Sequence, residues 1–115
     1  MIYGAGRAGT TVVRELLSRP ETAMRPVGFI DDDPERAGKV FNGYPVLGSA
    51  ETLQAVIRRY DVRGVVVATH KLPSDRMRAA ALICERTGIW MRQFRVQFEE
   101  QSGALETSEA PAASR

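Results

Sequence analysis

Apolar residues recur along the chain at two spacings, and the alternation between them predicts the elements. Ile2-Tyr3 reads as the end of a strand, and Val12, Val13, Leu16 and Leu17 follow at helical spacing. Ser18-Arg19-Pro20 closes that helix, because proline cannot continue it. Residues 25–30 are β-branched and aromatic, which predicts a second strand, and Asp31-Asp32-Asp33-Pro34 stops it. Residues 38–48 predict an extended excursion that turns at Asn42-Gly43. Its second arm, residues 44–47, carries Pro45 and is expected to be a short edge strand. Ser49 is placed to cap the next helix, in which Leu53, Val56, Ile57 and Tyr60 share one face. Residues 64–69 are apolar at successive positions, as in a central parallel strand covered on both sides. Ser74 is expected to cap a third helix, with Met77, Ala80, Ala81 and Cys84 on one face and Gly88 after its end. Residues 89–94 predict the last strand.

Strands that alternate with helices imply an α/β fold, here a Rossmann-like three-layer sandwich with a mainly parallel sheet. Such sheets take ligands beyond the carboxyl ends of their strands, where the strand order reverses. The loops to inspect are therefore residues 4–9, 31–33, 69–74 and those after Phe94.

At 115 residues the chain is expected to hold one domain. Residues 1–101 carry the pattern. Residues 102–115 contain one large apolar residue, Leu105, and are expected to form a disordered tail. Only Met1-Ile2-Tyr3 precede the first glycine, short for a strand of about five or six residues. The chain is therefore expected to be a domain excised from a longer protein.

Composition narrows the chemistry. A single cysteine excludes a disulfide framework and a Cys-rich zinc site. A net charge of +2 is too mild to argue for a nucleic-acid partner. No apolar run is long enough to span a membrane, and the first residues, neither basic nor a long apolar run, are not expected to act as a secretory leader.

Gly4-Ala5-Gly6-Arg7-Ala8-Gly9 matches G-x-G-x-x-G between a strand remnant and an amphipathic helix. In such a turn the first glycine allows the tight bend, the second lets a diphosphate approach the backbone, and the third lets helix and strand pack closely. Amide groups at the helix start would hold the phosphates, and Arg7 could add a charged contact. Asp31 stands roughly 20 residues after the last glycine, where a carboxylate meets ribose hydroxyls. The acidic run of Asp31, Asp32 and Asp33 should repel a 2′-phosphate, which favours NAD or a nucleotide sugar over NADP. Thr69 and His70 follow the central strand and are candidates to line the same site. A glycine turn kept only for packing is the competing reading. For His70, the chain's single histidine, a solvated loop position competes equally. Cys84 and Trp90 read as packing residues. No Tyr-x-x-x-Lys pair, G-x-S-x-G elbow or metal-ligand set is visible, so nothing marks a catalytic residue.

The segments IYGAGRAG at 2–9, RPVGFIDDDPERAGKVFNGYPVLGS at 25–49 and GVVVAT at 64–69 together resemble the nucleotide-binding Rossmann, CoA-binding-like domain of bacterial polysaccharide-biosynthesis proteins. The resemblance covers about residues 1–100. It implies a binding site at Gly4, Gly6, Arg7, Gly9 and Asp31, beside which Ala8, Asp32, Thr69 and His70 are further candidates. NAD or a nucleotide sugar is the implied ligand, and CoA ranks below them. It also implies a cytoplasmic domain, non-catalytic by itself, of a glycosyltransferase-related parent associated with the inner membrane through segments outside this chain. Two alternatives stay open. One is the UDP-sugar-binding domain of a nucleotide-sugar dehydratase, epimerase or acyltransferase. The other is a ligand-free oligomerisation module, forming a homodimer through an exposed helix or edge strand. The stretch Thr69-His70-Lys71-Leu72-Pro73 departs from the small residues the family tends to carry there.

Overall fold

Strand β1 (Ile2–Tyr3) lies in the middle of the sheet and sets its two-faced core. The computed structural model describes residues 1–68, 72–96 and 105–109, with residues 95–96 and 105–109 described through their backbone path. Along the chain follow α1 (Gly6–Ser18), β2 (Phe29–Ile30), β3 (Val40–Phe41), β4 (Tyr44–Gly48), α2 (Leu53–Arg59), β5 (Gly64–Val67), α3 (Ser74–Thr87), β6 (Trp90–Val96) and β7 (Leu105–Glu109). The strand order is β3-β4-β2-β1-β5-β6-β7. β1 pairs in parallel with β2 and β5, and the parallel pairing continues to β4 on one side and β6 on the other. The two outermost strands, β3 and β7, are antiparallel additions. The mainly parallel Rossmann-like sheet is thus present, and its order reverses between β1 and β5.

Strand periodicity explains the two layers that cover it. Ile2, Phe29 and Val66 are in register across three strands and pack with Val12, Val13 and Leu16 of α1. Their neighbours Tyr3, Ile30, Val65 and Val67 face the other way, against Leu53, Val56 and Ile57 of α2 and Ala80 and Cys84 of α3. Side chains alternate across a strand, so one register serves both cores. Each large aliphatic side chain buried this way contributes roughly 1.5–3 kcal/mol. No polar or charged residue is buried among the described residues. Burial pushes the Cys84 thiol up to about 11, in keeping with a packing role.

Several elements differ from their expected form. The strand expected over residues 25–30 begins only at Phe29, because Pro26 has no N–H to offer a neighbour. Residues 44–47 belong to a strand that is not the edge, since β3 pairs outside it through a hairpin at Asn42 and Gly43. Both turn residues have positive φ, 51° and 88°, the geometry that two-residue hairpins favour. Ser49 caps a 3-10 turn (Ala50–Thr52) that leads into α2. The cap of α3 is Pro73, and Ser74 is already helical. Leu17 is exposed, while Val12, Val13 and Leu16 are buried. β6 runs on to Val96. Within the expected tail, Leu105–Glu109 pair antiparallel with Arg92–Val96, and the rest of residues 102–115 lies outside the described residues. Main-chain pairing to an open sheet edge needs no apolar side chain, so composition alone misses it.

Candidate functional site

The glycine turn is built by the end of β1. Gly4 adopts φ 110°, and its N–H donates to the Ile30 carbonyl at 2.7 Å, so the chain is tied to β2 as it leaves the sheet. Ala5 precedes the first turn of α1, and no side chain caps that helix. Gly6, the first helical residue, has φ 81°, a conformation that side chains with a Cβ rarely adopt. Gly9 faces the turn itself. A Cβ there would lie 2.2 Å from the Gly4 carbonyl oxygen and 2.8 Å from Cε1 of Phe29. Arg7 is exposed, Ala8 is half-buried against the α1 side of the core, and Thr10 and Thr11 hydroxyls donate to the Arg7 carbonyl.

The acidic run after β2 closes the other side of the site, and it is tied down. Asp31 Oδ2 accepts the Ala5 N–H at 2.7 Å, and Oδ1 accepts the Asp33 N–H at 2.8 Å. Arg36 Nη1 reaches Asp31 Oδ2 at 3.1 Å and the Ala5 carbonyl at 3.3 Å. Asp32 points to the α2 and α3 side. Its Oδ2 accepts the Tyr3 hydroxyl at 2.5 Å and pairs with Arg76 at 3.1 Å, while Oδ1 accepts the Ala50 N–H at 2.8 Å. The expectation that three free carboxylates would repel a 2′-phosphate therefore needs correction. Asp31 and Asp32 each face a guanidinium, so the run is largely neutralised.

The structure brings Gly4, Gly6, Gly9, Asp31 and Arg36 together at the reversal of strand order. Arg7 and Ala8 lie on the first turn of the helix beside them, and Asp32 lies one residue further, turned toward α3. Thr69 and His70 fall outside the described residues. Sequence reasoning passed over Arg36 and Arg76. Arg36 had a readable signal: Asp33 Oδ1 accepts the Glu35 N–H at 2.9 Å and Pro34 opens a 3-10 turn (Pro34–Arg36), which folds Arg36 back onto Asp31. Arg76 had none, since its carboxylate is far away in the chain. Among the described residues no group of three or more His, Cys, Asp or Glu could hold a metal ion. A cleft of about 420 Å³ lies at the amino ends of the strands, where Met24, Val27, Gly64 and Trp90 line it, and is separate from this site.

Tyr3 links the site to the core. Burial first, and then the hydrogen bond to Asp32, raise its phenol above the ordinary value of about 10. The folded state therefore holds this proton more tightly than the unfolded chain does. The stability this contributes is present in full below pH 10 and is lost as pH rises beyond it. Urea unfolding followed from pH 8 to 11 is expected to fall more steeply for the wild type than for Tyr3→Phe. Parallel curves would refute the assignment.

The sequence profile of a CoA-binding domain family matches residues 1–93. The probable polysaccharide biosynthesis protein EpsC of Bacillus subtilis (strain 168) is 34% identical over 89 residues, 77% of this chain and 15% of that protein. The capsular polysaccharide biosynthesis protein CapD of Staphylococcus aureus is 24% identical over 109 residues, 94% of this chain and 18% of that protein. The chain thus spans less than a fifth of either relative. Among solved structures, a UDP-D-quinovosamine 4-dehydrogenase from Vibrio fischeri superposes with a TM-score of 0.59 at 20% identity, covering 97% of this chain and 93% of the other. RSP, a Rex-family repressor also solved in complex with beta-NADH, superposes with a TM-score of 0.65 at 23% identity, covering 81% and 43%. Both share the Rossmann-type fold described above.

Proposed function

This chain belongs to the CoA-binding domain family, and from that premise we propose that it is the nucleotide-binding domain of a polysaccharide-biosynthesis protein, holding NAD or a nucleotide sugar over residues 4–9. The observation that carries this reading is Gly6: a left-handed glycine at φ 81° opens a 13-residue helix that no side chain caps, at the point where strand order reverses. Amide groups there are available to a diphosphate, and the helix dipole favours its charge. Gly4 and Gly9 hold the turn in place. Asp31, at the end of β2, is positioned for ribose hydroxyls. The domain supplies binding and orientation. The reaction itself belongs to the remainder of a longer parent, glycosyltransferase-related and membrane-associated on its cytoplasmic side in this reading.

Relatives that function in polysaccharide biosynthesis support this reading, and they equally fit a second one. In that reading the parent is a nucleotide-sugar dehydratase or epimerase and the ligand is a UDP-sugar. Calorimetric titration with NAD, NADP, CoA and UDP-N-acetylglucosamine tests both, and binding of NAD without the UDP-sugar excludes the second. NAD or the UDP-sugar is expected to bind with a Kd below about 1 mM. Gly6→Val, which puts a Cβ into the mouth of the turn, is expected to weaken that binding at least about tenfold. If none of the four ligands binds in this range, the ligand-free oligomerisation module replaces both readings.

A further inference from the structure

The guanidinium of Arg36 lies over Gly6. Its Cζ, Nη1 and Nη2 are each 3.1 Å from the position a Cβ on Gly6 would take, so the group lies nearly flat on that glycine. The second glycine of such a turn is where a diphosphate approaches the backbone. A ligand seated there and the Arg36 guanidinium must therefore meet. We propose that Arg36 is the phosphate-binding residue of this site and that the ligand enters by an exchange of partners. The guanidinium leaves the Asp31 carboxylate for the diphosphate, and a ribose hydroxyl takes the carboxylate oxygen that is released. The proposal rests on the nucleotide-binding reading above.

The geometry makes the exchange cheap. Arg36 ends a single 3-10 turn and its side chain is 40% exposed, so it can move by side-chain torsions alone. Asp31 is 9% exposed and keeps two backbone partners, Ala5 N–H and Asp33 N–H, when Arg36 leaves. Only one bond of the carboxylate is traded. Guanidinium pairs with phosphate through two parallel hydrogen bonds, which replaces the pair it gives up. A ligand with a ribose but no phosphate would strand the guanidinium, and one with phosphate but no ribose would strand the carboxylate oxygen. Either loss weakens binding, because a charged group in a half-buried site is left unmatched. Nucleoside diphosphates should therefore bind far better than either of their parts.

Calorimetry with ADP, UDP, adenosine, uridine and pyrophosphate on the wild type, Arg36→Gln and Arg36→Lys tests this. In the wild type the better nucleoside diphosphate is expected to bind at least about 100-fold more tightly than its nucleoside or pyrophosphate. Arg36→Gln is expected to weaken the diphosphate at least about tenfold and to leave the nucleoside bound as tightly as in the wild type, or more tightly. Arg36→Lys keeps the charge without the fork and is expected to fall between them, and it decides between the outcomes if Arg36→Gln does not fold. Should the variants bind the diphosphate as tightly as the wild type, or more tightly, Arg36 is a bystander or a plug and the proposal is overturned while the nucleotide reading stands. If neither ADP nor UDP binds the wild type, the nucleotide reading itself fails.

Discussion

Gly9→Ala is expected to destabilise the domain by about 3 kcal/mol. Alanine would normally be favoured by about 1 kcal/mol at a helical position, so the expected sign runs against propensity. The reason is the 2.2 Å separation between the added Cβ and the Gly4 carbonyl oxygen. That oxygen cannot retreat easily. Gly4 donates to the Ile30 carbonyl at 2.7 Å, and the turn is also held by the Ala5 N–H to Asp31 bond. The second obstacle, Phe29 at 2.8 Å, is fully buried and meets Phe41 edge to face at 6.2 Å. Either α1 lifts from the sheet or the turn breaks. For a domain of this size the melting temperature should fall by more than about 10 °C. Gly38→Ala is the control: φ there is 74° but among the described residues no atom beyond its chain neighbours lies within 4 Å of the added Cβ, so only backbone strain of roughly 1–2 kcal/mol is expected. A Gly9→Ala melt within about 2 °C of the wild type would show that helix and strand are not locked at this point.

The glycine turn was legible because three glycines at fixed spacing between a strand and a helix have one physical explanation each. The angle at Gly4 and the contact at Gly9 match theirs, while the space over Gly6 holds the Arg36 guanidinium. The central strands were legible for a similar reason. Val65, Val66 and Val67 are apolar in succession, and the sheet buries alternate members against α1 and against α2 and α3. Strand limits were less legible. Val27, Phe29 and Ile30 suggest a strand over residues 25–30, but pairing depends on Pro26 and on what lies beside it. β7 was illegible because its pairing is made by the main chain. The polar arrangement of the site was legible only in part. Asp31 stood out by its spacing, yet its charge could not be judged without Arg36, and the charge of Asp32 could not be judged without Arg76. An acidic run in one dimension became two ion pairs in three.

Asp32→Ala is expected to cost about 2–4 kcal/mol, nearly all of it in stability and not in ligand affinity. Both oxygens of Asp32 are occupied within the protein. Tyr3, whose side chain is among the most deeply buried, donates its hydroxyl to Oδ2, the Ala50 N–H donates to Oδ1, and Arg76 of α3 pairs with Oδ2. One carboxylate therefore joins β1, the entry to α2 and the first turn of α3. Alanine leaves the Tyr3 hydroxyl and the Ala50 N–H without their acceptor in a partly buried place, where each costs roughly 1–3 kcal/mol. The Arg76 pair adds little, because Arg76 is exposed and solvent screens the pair. The hydroxyl's share can be isolated. Adding Tyr3→Phe to Asp32→Ala removes the stranded donor, so the double variant should be about 1 kcal/mol or more better than the sum of the single losses. Urea unfolding of the four proteins measures this directly, and titration with the ligand that binds the wild type measures the rest. Strictly additive losses, or a single-variant loss below about 1 kcal/mol, would show that Asp32 does not hold the strand to the helices. An affinity loss equal to that of Asp31→Ala would return Asp32 to the ligand-binding set.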